Sequence, residues 1–366
     1  MDLYKIAASN LKGIGKQKLK QLCLRTNGIN ALFEEKLCSL EKKFNLKKEL
    51  LINMNISQAL TKAGKQLDFN EKYGVQTLFM EDDHYPDLLK ECPDAPITLF
   101  YKGSVALNKK IISIVGTRRA TNYGKENVEK LIASLQGQDV IVISGLASGV
   151  DTFVHDCCVK HQIPTVGVLG HGLDTIYPRS NRNLAKKMLN NGGLLTEYGI
   201  GHKISKYCFP QRNRIIAGMS EVTIVIESPL KGGAIITAEI ANGYNREVMA
   251  IPGSIFSDSS KGCNALIKTQ KANLLENTDD LYRLMGWNNN SSEVRANINL
   301  TKQESVIVQI LKEENEIHFD TLVSKSDFSV SSLHSIVLKL ELKEIVQALP
   351  GSLFKLNHQT FSLDMA

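Results

Sequence analysis

Between Lys206 and Gly218 the chain concentrates an ammonium group, an aromatic ring, an amide and two guanidinium groups. These belong to Lys206, Phe209, Asn213, Arg212 and Arg214, and they run directly into the apolar Ile215-Ile216-Ala217-Gly218. Arginine's planar fork suits bidentate contact with phosphate, and an aromatic face accepts an unpaired base. The segment carries no obvious nucleophile and no metal-ligand pair. Its chemistry is that of holding a polyanion rather than transforming one.

The elements around this segment supply further anion chemistry. Six short apolar, β-branched runs predict strands: 111–115, 140–144, 165–169, 194–196, 222–226 and 248–251. Near-continuous apolar runs of this length mark parallel strands buried on both faces. Helical patterns over 124–135 and 151–161 separate the first three runs. The prediction is an α/β protein with a Rossmann-like, doubly wound parallel sheet. The turn-rich stretch from Asp82 to Phe100 is expected to wrap the sheet edge. Four of the strands end in glycine turns: Gly116-Thr117-Arg118-Arg119, Ser144-Gly145 through Gly149, Gly170 through Gly172, and Lys231-Gly232-Gly233. Open α/β sheets bind ligands at the carboxyl ends of their strands, and glycine-exposed N–H groups at helix starts favour phosphate. Four such turns, with Arg118, Arg119, Lys206, Arg212 and Arg214 at hand, predict a site for several phosphates.

Other chemistries fit less well. A nicotinamide site needs G-x-G-x-x-G after the first strand, whereas this turn offers Gly116 followed by Thr117, Arg118 and Arg119. Asp151 and His155, four apart, share a helix face and could in principle exchange protons. A capping role for Asp151 and a packing role for His155 fit the same spacing better. No catalytic residue, cofactor or metal site is assigned. Among 366 residues, 43% hydrophobic and 22% charged, the net charge is +6, which permits a nucleic-acid partner without requiring one. Seven cysteines without C-x-x-C spacing, no signal-peptide pattern and no membrane-length apolar run place the expected protein in the cytoplasm, away from membranes.

The chain divides into a helical module over 1–65, the α/β domain over 66–286, a polar linker over 287–297 and a C-terminal domain over 298–366. The first part contains Gly13-Ile14-Gly15 among Lys12, Lys16, Lys18, Lys20 and Arg25. In helix-hairpin-helix modules such a turn aims N–H groups at phosphate, but a plain helix connection needs the same glycines. Three predicted helices (301–311, 319–323, 329–342) and two strands around Pro350-Gly351 make the last part a winged helix. Its excess of acidic residues argues against DNA binding there.

The central motifs resemble those of the DprA/Smf family of DNA-processing proteins. The resemblance rests on Gly116-Thr-Arg118, Ser144-Gly-Leu-Ala-Ser-Gly-Val-Asp151 with His155, and Val168-Leu-Gly-His-Gly-Leu-Asp174 with Tyr177-Pro178. Phe209-Pro-Gln-Arg-Asn-Arg-Ile-Ile-Ala-Gly218 and Ile251-Pro-Gly253 complete it. It implies a SAM-like or helix-hairpin-helix module in front and a winged helix behind. It also implies a non-catalytic, homodimeric protein of natural transformation that binds and protects incoming single-stranded DNA and loads RecA recombinase onto it. By that resemblance Arg118 and Lys206 grip phosphates, Phe209 stacks on a base, and Arg212-Asn213-Arg214 line the pocket. Either arginine could instead serve a structural ion pair, and Arg214 is the weaker candidate for contact. Gly116, Thr117, Arg119, Ser144, Gly145, Lys231 and Gly232 complete the expected DNA site, and Leu266 and Ile267 fall at the expected dimer contact. The chain departs from the family at Lys231-Gly232-Gly233, where Ser-Gly-Ser/Ala is usual. A phosphoribohydrolase on a related sheet is the alternative reading, but its Pro-Gly-Gly-x-Gly-Thr turn is missing.

Overall fold

In the computed structural model, residues 2–14, 18–21, 29–34, 41, 49, 54–287, 300–314, 316–343 and 345–356 are described. They fall into two compact units, Met1–Ser291 and Ser292–Ala366. Gly15, Lys16, Arg25 and most of the predicted linker lie outside the described residues.

The apolar runs form the expected strands. β1 (Gln76–Phe79), β2 (Thr98–Gly103), β3 (Lys110–Val115), β4 (Val140–Ser144) and β5 (Thr165–Leu169) come first. β6 (Gly192–Thr196), β7 (Val222–Val225), β8 (Glu247–Ala250) and β9 (Asn273–Leu274) follow. Their order is β1-β2-β6-β5-β4-β3-β7-β8-β9, and the pairs from β6 to β9 are all parallel. Strand order reverses at β3, which has β4 on one side and β7 on the other, so the switch-point crevice lies at the carboxyl ends of β3 and β7. Both ends carry predicted anion turns.

The edge differs from expectation. The stretch before Phe100 contains a short helix, Asp87–Glu91, and then β2, which joins the sheet antiparallel to β6 (Phe100 opposite Thr196). β1 adds to β2 as a hairpin-like pair. The prolines of this stretch hid a strand whose partner is nearly a hundred residues away.

Hydrophobic burial also joins the helices of the N-terminal part to the sheet. Ile6, Ala59 and Ala63 belong to one core with Leu99, Phe100 and Ile143. Lys20 is spent structurally, its Nζ donating to the carbonyls of Lys90 and Cys92 at 3.1 and 3.3 Å.

The second unit has its own core around Ile307, Leu322, Leu333, Val337 and Leu356. Helices Lys302–Glu313, Phe319–Ser326 and Val330–Leu342 precede β11 (Val346–Leu349) and β12 (Leu353–Leu356), with β10 (Ile317–His318) closing a three-stranded sheet in the order β10-β12-β11. This is a winged helix. Thr301 and Glu304 form a capping box at its start, and the buried Glu304 carboxylate accepts from Lys343 Nζ at 2.7 Å.

Candidate nucleic-acid interface

The site is built on tight backbone approaches between strand-end turns. After β3, the Thr117 N–H donates to the Glu227 carbonyl at 2.7 Å, and the Thr117 carbonyl accepts from Val150 N–H at 3.1 Å. The turn is thereby pinned to the ends of both β7 and the β4 loop. Gly149 faces this turn with φ +86°, and a Cβ there would collide with the Arg118 backbone. The Glu227 carboxylate, almost fully buried, accepts from Thr121 N–H at 3.0 Å, Thr121 Oγ1 at 2.6 Å and Ser259 Oγ at 3.2 Å. Glu227 thereby ties the arginine-bearing turn to the end of β7.

The turn after β4 is organised by Asp151, whose carboxylate accepts from Gly145 N–H at 3.1 Å and Ala147 N–H at 3.3 Å. Burial raises the Asp151 pKa, while the nearby Arg212 charge and these N–H donors act in the opposite sense. Arg212 is 4% exposed, packs against Gly145 and donates to the Val168 carbonyl. Burial lowers its pKa to about 10, with Asp151 favouring the charge. His155 lies fully buried in the same layer, Nδ1 at 2.7 Å from Thr165 Oγ1. Burial first, and then the Arg212 charge, push its pKa to about 3. Asp151 therefore caps its turn and His155 packs as a neutral ring, the second of the two roles the spacing allowed.

The helix Cys208–Met219 projects residues of different fates. Phe209, in its first turn, lies against Gly170. The Arg118 guanidinium is 5.9 Å from the Phe209 ring centre, and the Tyr177 ring is 5.7 Å from it. Arg214 turns inward to Glu197 at 2.5 Å, each side chain 8% exposed, and donates to the Asp94 carbonyl. That pair removes Arg214 from the candidate contacts.

A cleft of about 670 Å³ gathers Gly116, Thr117, Arg118, Lys206, Phe209, Asn213 and Gly232, with Arg212 reaching it from beneath. Four expected residues stand elsewhere. Ser144 is fully buried, its Oγ donating to the Ile114 carbonyl at 2.7 Å, so it supports the floor and does not reach a ligand. Gly145 is also buried and borders a smaller hollow beside Arg118 and Phe209. Arg119 and Lys231 are exposed but do not line the cleft. Tyr177, which had no expected part in the site, lines the cleft wall and is half-exposed. The signal was an aromatic residue five positions beyond a glycine turn and just before Arg179 and Arg182.

At the expected dimer contact, Leu266 is 3% exposed and belongs to the main core. The eight-residue helix Lys261–Lys268 points Cys263 and Leu266 inward at i, i+3 spacing, leaving Ile267 half-buried. Leu266 is thus a core residue in this chain. Among the described residues no group of three or more His, Cys, Asp or Glu could hold a metal ion, and no helix is long and apolar enough to cross a membrane.

Residues 76–286 match the family described as DNA recombination-mediator protein A, and residues 291–352 match the DprA winged helix domain. The DNA processing protein DprA of Streptococcus pneumoniae is 43% identical over 188 residues, which span 51% of this chain and 66% of that relative. The fold is similar to the crystal structure of the S. pneumoniae protein, with TM-score 0.64, 33% identity, and coverage of 78% of this chain and 96% of that one. It is also similar to DNA processing protein A from Helicobacter pylori, described for its single-stranded DNA binding mode, with TM-score 0.53, 26% identity, and coverage of 59% and 98%.

Proposed function

The chain belongs to the DprA/Smf family of DNA-processing proteins, and on that premise we propose that it binds single-stranded DNA in the cleft at the β3–β7 switch point. One observation carries the reading. Arg118 and Lys206 line the same cleft as the Phe209 ring, and among the described residues neither cation is used in an ion pair. Unspent cations beside an aromatic face combine phosphate neutralisation with base stacking. Duplex DNA offers the phosphates but keeps its bases stacked inside, so the same cleft favours single strands.

In this reading Gly116, Thr117 and Gly232 let the backbone approach phosphate, Asn213 adds an amide, and Arg212 supports the floor electrostatically. The protein acts without catalysis, as a cytoplasmic mediator that covers incoming strands and loads RecA onto them. It works as a homodimer through the surface around Ile267. Its modules in this reading are 1–65, 66–286, the linker 287–297 and 298–366, the first sharing a hydrophobic core with the second. The nucleotide-hydrolase alternative is not favoured, because His155 is fully buried and neutral, and Asp151, although it borders the cleft, spends its carboxylate on the Gly145 and Ala147 N–H groups.

The test is fluorescence anisotropy with labelled oligothymidylate and with a duplex of equal length, at several salt concentrations. Single strands are expected to bind tighter, with log affinity falling linearly with log salt. Equal affinity for both forms would refute the proposal. Light scattering of the same samples reports the dimer.

A further inference from the structure

A cationic stripe begins at the wall of the cleft. Tyr177 is 49% exposed, whereas Phe209 is partly buried between Arg118 and Tyr177. Its backbone N–H donates to the buried His171 Nε2 at 3.2 Å, which fixes the residue against the third glycine turn. Directly beyond it, Arg179–Asn181 forms a short 3₁₀ turn that continues into the helix Arg182–Met188. Arg179, Arg182 and Lys186 follow one another at spacings of three and four, so they share one face of this helical stretch.

All three are exposed. Among the described residues none makes an ion pair or a side-chain hydrogen bond. Lys187, on another face, is different, because its charge acts on Asp156. The stripe is also fastened to the site. Asn181, 5% exposed, donates from Nδ2 to the Leu146 carbonyl at 3.0 Å and to Thr152 Oγ1 at 2.8 Å. Those acceptors belong to the turn after β4 and to the helix Val150–Lys160. Leu184, Ala185 and Met188 pack the helix into a core beside Leu146 and Leu169, and unpaired cations held in register with a cleft suit a polyanion that extends past it.

We infer that a single strand leaves the cleft over Tyr177, which stacks a base, and continues along Arg179, Arg182 and Lys186, which neutralise successive phosphates. This rests on the single-strand reading of the cleft and extends its footprint. The recognised chemistry is a flexible, unpaired polynucleotide, without sequence preference, because the contacts are phosphate charge and a π-face.

The test uses the full chain with oligothymidylates of two lengths, one short enough to fill only the cleft and one several nucleotides longer. Each of the wild type, the triple variant Arg179→Ala/Arg182→Ala/Lys186→Ala, Tyr177→Ala and Tyr177→Phe is titrated across salt. Each neutralised phosphate contributes about 0.7 to the salt slope for single strands, so the triple variant should lose about 2 from the slope on the long oligomer. Its slope on the short one should stay at the wild-type value. Tyr177→Ala should weaken binding roughly 5- to 150-fold with its slope unchanged, and Tyr177→Phe should restore it. An unchanged slope on the long oligomer, or an equal loss on both lengths, overturns the track. Tyr177→Ala binding like wild type overturns the stacking role. If the wild type binds neither oligomer, the single-strand reading itself fails, an outcome separate from these.

Discussion

Lys206 and Phe209 stand one helical turn apart in the sequence but do different physical work. Lys206 is exposed and faces the cleft, where a neutralised phosphate releases counterions. Lys206→Ala should therefore weaken binding to all sequences alike and reduce the salt slope by about 0.7. Phe209→Ala should cost about 1–3 kcal/mol of binding and leave the slope alone. Anisotropy titrations at four or more salt concentrations separate the two. A Phe209 variant with a reduced slope would show that the ring acts by positioning Arg118, which sits over its face. His155 makes the second residue-scale prediction. Its folded pKa, about 3, lies below the ordinary 6.5, so between those values the unfolded chain holds the extra proton. Stability must then fall as the pH drops through this window, and the penalty is gone above 6.5. Urea midpoints measured from pH 7 to pH 4 should decline, and less steeply in His155→Asn. Parallel declines in both proteins would assign the acid sensitivity to other groups.

At the scale of elements, the site depends on turns that touch one another. Gly149 shows this most directly, because φ +86° and the adjacent Arg118 backbone both exclude a side chain. Gly149→Ala should destabilise the fold by about 1–3 kcal/mol and shift the arginine-bearing turn. Chemical denaturation and single-strand binding should deteriorate together, and a variant with both unchanged would refute this account. The parallel strands were readable because apolar β-branched runs of that length have few other uses in a soluble chain. Their ends were readable from glycine. The antiparallel edge was not, since β2 follows two prolines and its only continuous neighbour toward the centre of the sheet is β6. Pairing over such separations leaves no periodic trace near the strand itself.

At the scale of the molecule, every cleft residue belongs to Met1–Ser291, while the winged helix has a separate core. A chain ending at Trp287 should keep single-strand affinity within roughly twofold. A large loss in the same anisotropy assay would bring the winged helix into DNA binding, against the indication of its acidic surplus. By itself the sequence determined the doubly wound sheet, the winged helix, the glycine turns and the cation–aromatic cluster, because composition, period and backbone freedom are local properties. Only the tertiary structure decided which members of the cluster face a ligand. Arg212 is turned down by the Val168 carbonyl and Asp151, Arg214 by Glu197 and Asp94, and Leu266 by the core. Those polar partners all lie between 17 and 120 residues away along the chain. A buried charge goes where its compensating group is, and only the folded chain supplies that group.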